Sequence, residues 1–212
     1  SKRSPIGVFL GSLSEFTAPE LGSEAIKAAY TYAELDPKNI DSVYMGCVIS
    51  ANIGQSPARQ AAKFAGIPDH VDATTINKVC AAGMKATMIG AQQIQLGLEH
   101  LVITGGMESM SNAPHYISRR TPLKLGDEML IDGLLKDGLT DVYHQTQMGN
   151  IAEMCVKNFG ITREAQDQFA LNSYSKAAEA HKNGKFDFEK VAIKKQIKNQ
   201  DILISDDEDV FK

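Results

Sequence analysis

Between Ser42 and Gly106 the chain alternates short apolar, β-rich runs with helical stretches, and that rhythm limits the folds open to it. Ser42–Ile49 reads as a buried strand. Ser56-Pro57 opens a helix to about Ala65, with serine as N-cap and proline in the first turn. Gly66-Ile67-Pro68 stops it. Val71–Ile76 is a second strand. A helix then starts at Cys80 and runs on small and apolar residues to about Leu98. His100–Thr104 is a third strand, ending in Gly105-Gly106. Upstream, helical periodicity covers about Ala18–Leu35 and ends before Asp36-Pro37. Strands that alternate with helices pair in parallel and carry the helices on the sheet, which is an α/β layered architecture.

The candidate chemistry sits in the second of these connections. Asn77-Lys78-Val79-Cys80-Ala81-Ala82-Gly83-Met84-Lys85-Ala86 places a thiol at the expected first residue of a helix, in a strand-to-helix turn. Unpaired N–H groups and the positive end of the helix dipole favour thiolate there, the nucleophilic form. A lone cysteine is ordinarily a small core hydrophobe, so position alone does not assign a reaction. The cysteines are Cys47, Cys80 and Cys155, an odd number with wide gaps and no Cys-x-x-Cys pair. A disulfide framework or zinc site is not expected, and a reducing compartment fits.

Composition excludes several classes. Hydrophobic residues make up 43% and charged residues 23%, with a net charge of −4, so no general nucleic-acid surface is expected. No apolar run approaches the ~20 residues of a membrane helix. His70, His100, His115 and His181 are scattered without ligand spacing, and no dinucleotide fingerprint, Walker loop or Gly-x-Ser-x-Gly elbow occurs.

The character changes after Gly106. Met107 to about Thr146 is turn-rich, with Asn112-Ala113-Pro114, Thr121-Pro122 and several glycines, and is long enough to read as a functional loop region. Helices follow over Met148–Phe159, stopped by Gly160, and from about Arg163 to Lys182, with Thr162 as N-cap and Gly184 as terminator. Val191, Ile193 and Ile197 alternate with lysines as in a half-exposed strand, so Lys194, Lys195 and Lys198 read as its solvated face. The acidic run Asp206-Asp207-Glu208-Asp209 reads as a solvated loop. Opening on Ser1-Lys2-Arg3-Ser4-Pro5 and closing on Val210-Phe211-Lys212, the chain reads as an excerpt of a longer polypeptide.

Thr75 to Ala86, then Gly105-Gly106-Met107-Glu108-Ser109-Met110-Ser111-Asn112, closely resemble the thiolase family, most nearly its short-chain mitochondrial acetoacetyl-CoA branch. Arg3-Ser4-Pro5-Ile6-Gly7, Gly54 to Ala62, Lys136 to Tyr143, Met148-Gly149 and Asn172-Ser173-Tyr174 extend the resemblance in order along the chain. It corresponds to the N-terminal half of a family member.

The resemblance implies a thiolase-like layered α-β-α fold. Residues 1–110 would form an N-terminal domain, incomplete at its start. Residues 111–212 would form an inserted helical loop region covering the coenzyme A site and continuing toward the domain's last strands. Cys80 would attack an acyl-CoA and carry the acyl group as a thioester, with its own N–H in an oxyanion hole. Leu139 and Met148 would line the pocket for the pantetheine arm and acyl group. Tyr174 would touch coenzyme A and a bound potassium ion. Glu108 would have a supporting place, and Gly105-Gly106 a tight turn of close backbone contact.

The reaction implied is reversible acyl transfer: thiolysis of acetoacetyl-CoA, or condensation of two acetyl-CoA. Coenzyme A is a substrate, no cofactor is required, and potassium is a candidate modulator. A homodimer or homotetramer in the mitochondrion is expected, with the cytoplasm as the alternative. The family's second cysteine and its histidine belong to C-terminal motifs that these residues do not contain, so the chain by itself is expected not to turn over. Gln147 stands where the family commonly has histidine, with His144 three residues earlier, which leaves the acyl-chain range open. Two other readings are a non-catalytic thiolase-like structural or CoA-binding subunit, and a decarboxylating condensing enzyme such as a ketoacyl synthase, which the wording around Cys80 fits less well.

Overall fold

The structure, a computed structural model, describes residues 1–117, 119–121, 125–198 and 200–210. Pro122 of the expected Thr121-Pro122 turn and the final Phe211-Lys212 lie outside the described residues. In chain order the main elements are α1 (Ala18–Tyr32), β1 (Ser42–Gly46), α2 (Pro57–Phe64), β2 (Asp72–Ile76), α3 (Ala82–Gln95) and β3 (Val102–Gly106). Next come β4 (His115–Tyr116), β5 (Ile131–Asp132), β6 (Thr140–Asp141), β7 (Thr146–Gln147), α4 (Met148–Phe159) and α5 (Arg163–Lys182). The last are β8 (Ile193–Ile197) and β9 (Gln200–Ile204). They fall into two compact units, Ser1–Pro114 with Glu189–Glu208, and His115–Phe188 with Asp209–Lys212.

In the first unit β1 lies between β2 and β3, parallel to both, with Gly46 opposite Ile76 on one side and Gly106 on the other. Alternation of side chains along each strand gives the sheet two different faces. Val43, Met45 and the following Cys47 pack into one core with Ala18 and Ile26 of α1 and Ala58, Ala61 and Ala62 of α2. Gly46 and Thr104, on the opposite face, abut α3. Helices on both faces of a parallel sheet make the layered α-β-α arrangement of an α/β fold.

Local chemistry sets where the elements begin. α1 starts at a capping box: the Thr17 side chain accepts from Glu20 N, and the Glu20 carboxylate accepts from Thr17 N. Ser56 does not cap α2 as expected. Its backbone is left-handed, with φ 47°, and its side chain makes no cap bond. Thr75 on β2 does that work, accepting from Ala58 N at 3.0 Å. β1 ends at Gly46 and not at Ile49, because the N–H groups of Val48 and Ile49 are taken by the Glu108 carboxylate.

The acidic run is solvated at Asp206 and Asp209 but not at Asp207 and Glu208. Asp207 is 6% exposed and takes Arg3 through both its oxygens, at 2.8 and 3.0 Å, and also accepts from Ile6 N. Glu208 accepts from Val8 N and Ser12 N. These carboxylates fix a segment whose irregular backbone leaves N–H groups without ladder partners, which repays their desolvation. Of the lysines in the expected solvated strand face, Lys195 donates to Ser12 O and pairs with Glu15, while Lys194 pairs with Asp201.

In the second unit β4 pairs with β5 and β6 with β7, both antiparallel. α4 ends on Gly160 at φ 62°, the left-handed C-terminal position that suits glycine. α5 is capped by Thr162, which accepts from Ala165 N. Among the described residues no helix is long and apolar enough to cross a membrane.

Candidate active site

Cys80 does not open the helix. α3 begins at Ala82, and Cys80 lies two residues earlier in a tight turn. Ala81 N donates to Lys78 O and Ala82 N to Val79 O, at 3.2 and 2.9 Å. Val79 sits at φ 50°. A β-branched residue in that left-handed region costs about 1–3 kcal/mol, so the surroundings must hold it there. The Asn77 side chain does so, its amide oxygen accepting from Val79 N at 3.0 Å and its amide nitrogen donating to Val48 O at 3.4 Å. The result is an exposed Cys80 thiol just ahead of a helix N-terminus.

Three glycines seat this turn on the sheet. A Cβ on Gly46 would lie 2.5 Å from both Ala82 C and Gly83 N. A Cβ on Gly83 would meet Gly106 Cα at 3.3 Å. The first turn of α3 therefore rests directly on the C-terminal ends of β1 and β3, backbone against backbone. The close-contact reading of Gly105-Gly106 holds at Gly106, whose neighbour is the first turn of α3, although both glycines belong to β3 and not to a turn.

Glu108 and Cys47 form a separate pair in the layer below. The Cys47 thiol points at Glu108 Oε1 at 3.7 Å, and burial, reinforced by that carboxylate, pushes it up to about 12. A thiol so held stays protonated at neutral pH and is a structural cysteine. Glu108 spends its oxygens on Val48 N and Ile49 N at 2.8 and 3.1 Å, which is the supporting place expected of it. Cys155, on α4, is exposed.

The other residues singled out from the sequence belong to the second unit. Leu139 ends a five-residue π-helical turn, Leu135–Leu139, and is half-buried. Met148 opens α4 and is 42% exposed. Because Thr140 pairs with Gln147, Leu139 and Met148 come to the same end of the β6–β7 hairpin. Tyr174 is half-exposed on α5, in an open groove with Ala170, Leu171, Ser175 and Val210. His144 is held by Asp141, whose carboxyl lies below its usual range because it accepts the His144 backbone N–H and meets the ring at 2.8 Å. Among the described residues no three His, Cys, Asp or Glu side chains gather as a metal site.

Sequence reasoning did not find Asn77, Val79 or Asp207. An Asn two residues before a strained position is the signal of an Asx turn. Within Asn-Lys-Val-Cys it is indistinguishable from any polar residue after a strand.

The model of the thiolase N-terminal domain matches residues 1–212. The chain belongs to the thiolase family. Its relatives include the cytosolic acetyl-CoA acetyltransferase ERG10 of Gibberella zeae, 54% identical over 87% of this thiolase chain and 47% of the relative's length. The mitochondrial acetyl-CoA acetyltransferase FG05087 of the same organism is 47% identical over 97% of this chain and 48% of its own. The crystal structure of Acat5 thiolase from Ascaris suum in complex with coenzyme A superposes with a TM-score of 0.92 at 38% identity, covering 99% of this chain and 53% of that one. This thiolase chain thus spans about half the length of the relatives it matches, and those relatives are named for both cytosol and mitochondrion.

Proposed function

We propose that this chain supplies the acyl-carrying thiol of a reversible acetyl-CoA acetyltransferase. One observation carries the reading: Cys80 is an exposed thiol, presented by a strained turn ahead of a helix, in a chain that matches the thiolase N-terminal domain throughout. In the cleavage direction the Cys80 thiolate attacks the 3-carbonyl carbon of acetoacetyl-CoA. The bond between carbons 2 and 3 breaks, the acetyl group remains on Sγ, and the departing acetyl-CoA carbanion takes up a proton. The thiolate of a second coenzyme A then attacks the thioester, the Sγ–carbon bond breaks, acetyl-CoA leaves and the Cys80 thiolate returns. Condensation of two acetyl-CoA is the same sequence reversed.

Leu139 and Met148, at one end of the β6–β7 hairpin, offer apolar surface suited to the pantetheine arm and acyl group. Tyr174 offers a neutral oxygen of the kind potassium takes. It is one ligand of the several such an ion needs, so the ion is proposed as a modulator, and equal rates in sodium and potassium buffers would remove it. Coenzyme A and acyl-CoA are the proposed partners, with a homodimer or homotetramer as the assembly and the mitochondrion as the compartment. Light scattering and cell fractionation test the last two.

The full-length native protein is expected to cleave acetoacetyl-CoA in the presence of coenzyme A. Cys80→Ser is expected to abolish that activity while keeping the thermal midpoint of the parent. Undiminished thiolysis by the serine variant would refute the proposal.

A further inference from the structure

We infer that Asn77 is a positioning residue for the Cys80 thiol, acting through the backbone of Val79. This rests on the reading of Cys80 as the acyl-carrying nucleophile. Three observations converge. Val79 is held at φ 50°, a conformation a β-branched residue does not adopt unaided. Asn77 Oδ1 accepts from Val79 N at 3.0 Å, closing an Asx turn over that residue. Asn77 Nδ2 reaches Val48 O at 3.4 Å, and Val48 N is itself fixed by Glu108 Oε2 at 2.8 Å. A line of hydrogen bonds therefore runs from the end of β3 through the segment after β1 to the residue immediately before the thiol.

The consequence is directional. With Val79 extended, the chain would continue along the line of β2. Ala81 N and Ala82 N would then lose Lys78 O and Val79 O, and the sulfur would move away from the start of α3. Left-handed Val79 folds the backbone back, so that Cys80 stands exposed while Ala82 is buried at the first turn of the helix. Strained backbone maintained by specific partners is found where a reacting group must be presented at a fixed angle. Asn77 has no contact with the sulfur in this scheme; it sets where the sulfur is.

The test uses the full-length native protein and rapid-quench measurement of acyl-enzyme formation. Asn77→Ala is expected to slow acylation by about 10- to 100-fold, the scale of a misplacement near 1 Å, with the KM for acyl-CoA within about twofold of the parent. Adding Val79→Gly to that variant is expected to recover most of the rate, because glycine takes a positive φ without steric cost. Asn77→Asp keeps an acceptor for Val79 N but brings a negative charge to the turn, so its acylation profile is expected to move to higher pH. A wild-type rate in Asn77→Ala, a folded double variant with no recovery, or an unmoved profile in Asn77→Asp would each overturn the inference. Cys80→Ser separates the two claims. Acyl label that persists in it sinks the thiol reading and the inference with it, whereas label lost there but formed at full rate in Asn77→Ala overturns the inference alone.

Discussion

Gly83, in the first turn of α3, and Gly106, the last residue of β3, lie so close that a Cβ added to Gly106 would stand 3.1 Å from the Gly83 Cα. The first turn of the helix that follows the thiol is thereby seated on the end of β3, backbone against backbone. A Cβ on Gly46 would press on the same turn from below, against backbone atoms that have no rotamer to yield.

Gly46→Ala is therefore expected to destabilise the protein by about 1–3 kcal/mol, the usual cost of overpacking, and to slow acylation of Cys80 well beyond that loss of fold. Urea denaturation and acyl-enzyme kinetics on the same sample measure the two effects. Acylation at the parent rate in a folded Gly46→Ala protein would mean that the seat does not position the thiol.

Much of this was legible in the sequence. The parallel strand–helix alternation, the Gly160 stop of α4 and the Thr162 cap of α5 follow from local signals that tertiary packing did not override. α3 starts two residues later than the expected Cys80, because nothing in Val79-Cys80-Ala81 announces that a valine will be left-handed. The acidic run departs from a solvated loop at Asp207 and Glu208 for a different reason. Asp207 meets Arg3, a partner 204 residues away, and no local pattern encodes that pairing. Placement at a strand-to-helix turn makes Cys80 a candidate, but its role follows from the resemblance of the words around it, since an exposed cysteine and a core cysteine look alike as letters.

The cluster around Asp207 makes a contrast inside four residues. Asp207→Ala removes the bidentate acceptor of a partly buried Arg3, which keeps Glu189, and the acceptor of Ile6 N, and is expected to cost about 2 kcal/mol. Asp206→Ala removes an exposed carboxylate from Lys190 and is expected to cost less than about 1 kcal/mol. Equal midpoints of the two variants in chemical denaturation would return the run to a solvated loop.

Cys47 sets an alkaline dependence whose sign is fixed by its environment. Its folded value, about 12, lies above the ordinary 9.0. Below about pH 9 both folded and unfolded chains keep the proton, and the contribution of the group is fully present. Between about 9 and 12 the unfolded chain releases it while the folded chain does not, so stability falls as pH rises. The urea midpoint is expected to drop more steeply over that range in the parent than in Cys47→Ala; parallel slopes would show that the thiol is not held by burial and Glu108.

The most direct measurement is peptide-mapping mass spectrometry of the full-length native protein, quenched in acid after brief exposure to acetoacetyl-CoA without free coenzyme A. The expected result is one acetyl group, carried on the peptide that contains Cys80 and removed when coenzyme A is added. Acetyl found instead on the Cys47 or Cys155 peptide, or Cys80 unmodified while the protein turns over substrate, would contradict the assignment of this thiol as the acyl carrier.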